Sequence, residues 1–293
     1  MRSLRADERC LLCSLRQAES LLKKFVRNPE KRWMIFKEIF KIMGEMRWGM
    51  KPLEVNGAVH KFVMSYMKNE DPFKEEKRRS NALAMELLKF LKDEILSQPD
   101  PIYAALKLAA SGNLIDLGIP GWTVEDVLEK FHEAYERPFD REDYEEFMKA
   151  FESSSTLLYV ADNAGEIVFD KFLLEVMKRE NPSLEIVVAV RGKPIINDAT
   201  LEDAAEIGLE EVATVIDSGV EEPGVILEKA SQAFKSAFFE LDMVIAKGQG
   251  NFEGLYEEER SNLFFLLTAK CEFVAEVLKV PLGSKVLVSS SSL

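Results

Sequence analysis

Apolar positions change their spacing near residue 151. From Ala6 to Phe151 they recur at helical intervals, as in Phe36, Ile39, Phe40 and Met43 or Leu83, Leu87, Leu88 and Leu91. Asn28-Pro29, Lys51-Pro52, Asp71-Pro72, Gln98-Pro99, Asp100-Pro101 and Pro120-Gly121 punctuate this stretch, which reads as about seven to nine helices with strand signals nearly absent. Beyond it the pattern alternates. Runs rich in Val, Ile and Leu at 156–161, 184–190, 212–216, 243–246, 263–268 and 285–288 read as buried strands. Helical stripes lie between them at 166–179, 200–208, 223–239 and 272–280, the second opened by a capping box of Thr200 and Asp203. The expected fold is α/β, a mostly parallel sheet covered on both faces, with an all-helical N-terminal region at 1–151 and the α/β domain at 152–293. The polar end, Ser289 to Leu293, reads as a frayed tail.

Composition narrows the chemistry. The 293 residues carry 51 acids against 38 bases, a formal charge of −13, which argues against broad contact with nucleic-acid phosphates. A solvated acidic surface explains that charge without any partner. No apolar run is long enough to span a bilayer, and no apolar signal segment follows the first charges, so the expectation is a cytoplasmic protein with no membrane contact. The two histidines, His60 and His132, both lie inside helical patterns. That leaves no material for a multi-histidine zinc site and little for a serine–histidine triad. Hydrolytic chemistry here must run on carboxylates, amides and lysines, with or without a metal.

Ligands of such a sheet bind beyond the carboxyl ends of its strands, and three polar clusters fall there. Asp162-Asn163-Ala164-Gly165-Glu166 follows the first strand of the α/β half. Arg191-Gly192-Lys193-Pro194 with Asn197-Asp198 follows the second, and Lys247-Gly248-Gln249-Gly250-Asn251 follows the strand at 243–246. Each has an ordinary reading as turn and cap chemistry. Together they define a pocket. Asp162, Asn163 and Asp198 offer oxygen donors suited to a hard divalent cation, and Asp198 is not needed as a cap because Thr200 serves. Gly165 allows close backbone approach, and the helix after it offers N–H groups to an anion. Lys247 supplies a point charge for a phosphate, and Arg191 and Lys193 either contact substrate or are solvated. In the helical half, Gly112-Asn113 reads as a helix C-cap and Asp116 as a turn residue. Neither a Walker A loop nor a dinucleotide fingerprint is present.

Asp162 to Asp170, Arg191 to Pro194 with Asn197-Asp198, Lys247 to Asn251 and Gly112-Asn113 with Asp116 together resemble the damage-control phosphatase (ARMT-like) family, formerly a domain of unknown function. The resemblance implies a helical N-terminal region on a Rossmann-like domain and metal-dependent hydrolysis of phosphate monoesters of small metabolites, such as sugar phosphates or damaged phosphometabolites. It implies Asp162, Asn163 and Asp198 as ligands of Mn, Co, Ni or Mg, and Lys247 as the lysine that holds the phosphate. Substrate contacts are then expected from Asn113, Asp116, Gly165, Glu166, Arg191, Lys247, Gly248 and Asn251. Cys10-x-x-Cys13 with Lys270-Cys271 is similar to a cysteine signature of the stand-alone prokaryotic and archaeal type. Packing, a disulfide and a metal site all remain open for these thiols. Two rival functions are a metal-dependent transferase, against which the absence of a glycine-rich adenosyl loop counts, and a non-catalytic sensor of a metal or phosphometabolite.

Overall fold

The computed structural model describes residues 3–67, 71–112 and 124–293. In chain order the elements are α1 (Glu8–Phe25), α2 (Pro29–Gly44), α3 (Pro52–Met64), α4 (Lys74–Leu96), α5 (Pro101–Ser111), α6 (Val124–Glu136), β1 (Arg141–Glu142) and α7 (Tyr144–Ser153). There follow β2 (Thr156–Val160), α8 (Glu166–Glu180), β3 (Glu185–Val190), α9 (Leu201–Glu206), β4 (Thr214–Asp217), α10 (Gln232–Glu240), β5 (Met243–Lys247), α11 (Gly248–Leu255), β6 (Leu263–Thr268), α12 (Glu272–Leu278) and β7 (Lys285–Ser289). Three of the Pro-containing breaks prove to be helix starts. Pro29, Pro52 and Pro101 occupy first turns, where the missing N–H has no partner to lose, and Asn28 and Asp100 cap Lys31 and Tyr103.

The sheet runs β1-β7-β6-β5-β2-β3-β4, and among the described residues only the β6–β7 pair of strands is antiparallel. Alternate residues of its strands face opposite layers, as the period of a strand requires. Leu157 and Tyr159 join a core with α4 to α8, whereas Leu158 and Val160 join one with α10 to α12. A third cluster holds α1, α2 and α3 together, and Ile196 from the loop after β3 packs against it. These N-terminal helices therefore stand over the carboxyl edge of the sheet. Between β2 and β5 the connections diverge, one series leading to β3 and β4 and the other to β6, which opens a crevice between the ends of those two strands.

Two expectations are corrected. The helix expected over 223–239 begins only at Gln232, with Ser231 as its cap. Tertiary packing overrides the local pattern: Val225 donates its N–H to Asn251 Oδ1, and Gly224 lies so close to the Gly250 carbonyl that a Cβ would not fit. The serine-rich end is not frayed. Ser289 and Ser290 are buried, and their hydroxyls donate to Glu146 Oε1 at 2.9 Å and to the Arg260 carbonyl at 2.7 Å. Among the described residues no helix is long and apolar enough to cross a membrane.

His60, in α3, is 8% exposed, and among the described residues its Nε2 has no partner. Burial holds the imidazole down to about 4. The unfolded chain takes up a proton below about 6.5 that the folded chain refuses until about pH 4. Stability is thus expected to fall by about 3 kcal/mol as pH drops through that window, and His60→Leu should flatten this slope in chemical denaturation at pH 7 and pH 4.5.

Candidate active site

The loop after β3 carries Asp198 back to the loop after β2. Ala164 donates its N–H to the Asn197 carbonyl at 2.9 Å, Ala199 donates to the Asp162 carbonyl at 2.8 Å, and Asn163 and Asp198 form an antiparallel bridge. Four backbone segments thereby converge on a cavity of about 460 Å³. Asp162 and Asn163 come from the end of β2, Asn197 and Asp198 from the loop after β3, Gln249 and Glu253 from α11, and Lys270 from beyond β6. The N-terminal helices close the far wall with Gln17, Ser20 and Lys24 of α1 and Asn56 of α3.

The floor is a chain of buried charges. Asn163 Nδ2 donates to Asp162 Oδ2 at 3.0 Å and to Glu166 Oε1 at 2.8 Å. Among the described residues no donor reaches the amide oxygen of Asn163 or the Oδ1 atoms of Asp162 and Asp198. Burial, with the negative charges of Glu166 and Asp198, pushes the Asp162 carboxyl up to about 8. Burial also raises Asp198, against the opposing pull of Arg191, whose Nε donates to Asp198 Oδ2 at 2.8 Å. For Glu166, burial is outweighed by Lys247 and Lys270 together with the hydrogen bond from Asn163, and the carboxyl is held below its ordinary range. Lys247 Nζ is 2.7 Å from Glu166 Oε2 and 3.4 Å from Asp170 Oδ1, and Tyr159 Oη donates to Asp170 Oδ1 at 2.7 Å.

Several expected contacts take other partners. Lys247 is 1% exposed and sits behind Glu166, clear of the residues that line the cavity. Arg191, also 1% exposed, is neither solvated nor turned to the pocket, because its guanidinium is held by Asp198 and, at 3.2 Å, by Asn251 Oδ1. Asn251 is fully buried, and its amide donates to the carbonyls of Ala161 and Lys247, tying the ends of β2 and β5 together. The amides opening α8 are largely engaged. Gly165 donates its N–H to Asn81 Oδ1 at 2.7 Å, and the N–H groups of Ala164 and Ile167 go to the carbonyls of Asn197 and Asn163. Gly165 itself packs against Ser80 of α4. Lys193 is exposed and pairs with Glu221. The expected Asn113 and Asp116 lie outside the described residues.

Gly248 has a role of its own. The polar cluster 247–251 is a tight turn directly into α11, made with φ +82° at Gly248, and a Cβ there would stand 1.9 Å from Asp162 Oδ2. Gly248→Ala is expected to displace the Asp162 carboxylate and lower turnover about 10²-fold, the scale of an ångström-sized misplacement, with soluble folded protein retained. Steady-state kinetics with a circular-dichroism control checks this.

Two charged residues of the α/β half that sequence reasoning did not assign to the pocket stand in it. Glu253 is buried and pushed up to about 7 by burial, opposed by the hydrogen bond that its Oε1 accepts from Gln249 Nε2 at 2.8 Å. Lys270 is exposed at the rim. Its place just beyond β6 was visible in the strand pattern, but the lysine was read only with its neighbour Cys271. The three cysteines are free thiols, each raised by burial, Cys10 to about 11. Among the described residues no three His, Cys, Asp or Glu side chains are grouped to hold a metal. The Asp162, Asn163 and Asp198 set comprises two carboxylates and an amide.

Comparison with known proteins gives a consistent result. Residues 6–286 match the family model described as the damage-control phosphatase ARMT1-like domain. The chain is 34% identical over 284 residues to a damage-control phosphatase of Pyrococcus horikoshii, with 97% of each chain covered. It is 34% identical over 256 residues to a damage-control phosphatase of Archaeoglobus fulgidus, covering 85% of this chain and 86% of that one. The crystal structure of a DUF89 family protein from Pyrococcus horikoshii matches it with a TM-score of 0.91 at 33% identity, covering 98% of this chain and 99% of that one.

Proposed function

The chain belongs to the damage-control phosphatase ARMT1-like family, and from that premise we propose that it is a cytoplasmic, metal-dependent phosphatase acting on phosphate monoesters of small metabolites. The observation that carries this reading is the meeting of Asp162 and Asp198 through the Asn163–Asp198 bridge, at the floor of a cavity sized for a small molecule. Two carboxylates both raised by burial, Asp162 further by the charges of Glu166 and Asp198, form an arrangement a cation relieves. Two carboxylates and an amide oxygen with no described donor are hard ligands that fit Mg, Mn, Co or Ni. Asp162, Asn163 and Asp198 would hold such an ion, which when bound supplies Lewis-acid polarisation of a phosphoryl oxygen.

The remaining residues prepare the ligands. Arg191 fixes the rotamer of Asp198 by its 2.8 Å contact, and Asn251 fixes Arg191 in turn. Lys247 keeps Glu166 ionised, and Glu166 accepts a hydrogen bond from Asn163, which orients the amide so that its oxygen is left for a cation. The polar wall of Gln17, Ser20 and Asn56 suits a hydroxylated substrate. The test is phosphate release from an aryl phosphate. The expected result is turnover with added Mn, Co, Ni or Mg and none with chelator; equal release in both would refute metal dependence, and none in either would refute the phosphatase reading.

A further inference from the structure

We infer that Glu253, together with Asn56, sets the specificity of this cavity by binding hydroxyl groups on the alcohol part of the ester, so that phosphate esters of polyols are preferred to esters of apolar alcohols; this rests on the phosphatase reading above. Glu253 is 5% exposed, yet it lacks the ties that a buried acid of the fold needs. Among the described residues it has no ion pair, and burial and one hydrogen bond alone set its protonation. Glu166 and Asp198, equally buried, each hold a base. The Glu253 charge is felt instead by the thiols of Cys10, Cys13 and Cys271.

The side chain is nevertheless held in place. Gln249 Nε2 donates to Glu253 Oε1 at 2.8 Å, and the Gln249 amide is itself fixed, because its Oε1 accepts the N–H of Lys270 at 2.8 Å. Glu253 Oε2 meets no donor among the described residues and is not sealed off, so it opens on the cavity that the residue lines. Asn56 complements it. The Ser14 hydroxyl donates to Asn56 Oδ1, which leaves Nδ2, with no acceptor among the described residues, as a donor on the same cavity. The two residues are neighbours, since Leu53, one turn before Asn56 on α3, packs against Gly254. An acceptor beside an amide donor matches a hydroxyl, which donates to one and accepts from the other; an ammonium cannot accept, and a phosphate dianion cannot donate. Gly248, which opens α11, packs on Asp162 Oδ2, and Glu253 lies five residues further along that helix, about 7.5 Å by helical rise. A small polyol chain spans that distance. An acceptor fixed in place without a partner carries a penalty that a hydroxyl removes and a methylene does not.

The probes are two esters of four-carbon primary alcohols, a tetritol 1-phosphate and butyl phosphate, so that the leaving groups match in kind and only the hydroxyls differ. Wild type with Mn²⁺ is expected to favour the tetritol ester in kcat/KM by at least about 10²-fold, since a site built to bind a hydroxyl rejects the analogue lacking it. Glu253→Leu is expected to lower that ratio at least about ten-fold, and Glu253→Gln, which keeps an acceptor oxygen, to lower it less. The melting temperature of Glu253→Leu is expected to match or exceed that of wild type, because a buried acid with no base is removed. No preference in wild type, or an unchanged ratio in Glu253→Leu, overturns the assignment; a fall shared equally by both esters leaves the ratio unchanged and marks a merely structural role. If wild type releases phosphate from neither ester, the phosphatase reading fails, and calorimetric affinities for the two esters then decide the assignment by the same ratio.

Discussion

Asp162→Asn is expected to abolish metal-stimulated phosphate release, by roughly 10³-fold or more, while leaving the protein at least as stable as the wild type. The loss follows from charge. Asparagine keeps the shape and can still accept the 3.0 Å hydrogen bond from Asn163, but a cation loses one of its two carboxylates and with it more than about 4 kcal/mol of transition-state stabilisation. The gain follows from the same charge. A folded-state carboxyl held near 8, against 3.8 in the open chain, means that ionised Asp162 weakens the metal-free fold as pH rises through that interval. A neutral amide is free of that repulsion with Glu166 and Asp198. Melting curves in chelator at pH 7 should therefore place Asp162→Asn level with or above wild type, whereas assays in metal should find it inactive. Opposed changes of this kind are the mark of a functional site that the fold tolerates at its own expense.

Lys247→Met is expected to behave in the reverse way, as a stability defect first. Its ammonium is the partner of both Glu166 and Asp170, all three groups being nearly inaccessible to water. Methionine fills the volume but leaves two buried carboxylates, one of them with an Oδ2 that has no partner among the described residues. Breaking a buried pair from one side costs about 3–5 kcal/mol. Denaturant unfolding should show a shift of that order, and adding Glu166→Gln should recover part of it by removing one orphaned charge. An unchanged midpoint in Lys247→Met would contradict the buried network. Such a shift would mark Lys247, at the carboxyl edge of the sheet, as a residue that holds the floor of the site together.

The spacing of apolar residues revealed the alternation of strands and helices, and the rule that ligands gather at strand ends brought Asp162, Asn163 and Asp198 into one proposal. That works because strand burial and turn chemistry are local. What the spacing did not reveal was direction. Arg191 and Lys193 are two residues apart and read alike, yet one is buried on Asp198 and the other paired with Glu221 at the surface. Gly165 suggested an open anion site, but Asn81, on α4 and 84 positions away, takes its N–H. The stretch from Pro223 to Ser231 carries a helical pattern that α11 overrides, and the terminal serines find acceptors on α7 that no local pattern announces. Glu253 and Lys270 were missed because each lies outside the polar clusters, and only the sheet order brings α11 and the end of β6 beside β2.

The central claim is that Asp162, Asn163 and Asp198 share one divalent cation. Crystals soaked in Mn²⁺ and measured at the manganese absorption edge test it directly. The account predicts an anomalous peak within coordination distance of one oxygen from each of these three side chains, lost in crystals of Asp162→Asn. A peak elsewhere, beside the cysteines for instance, or no peak with the cavity open to solvent, would contradict it.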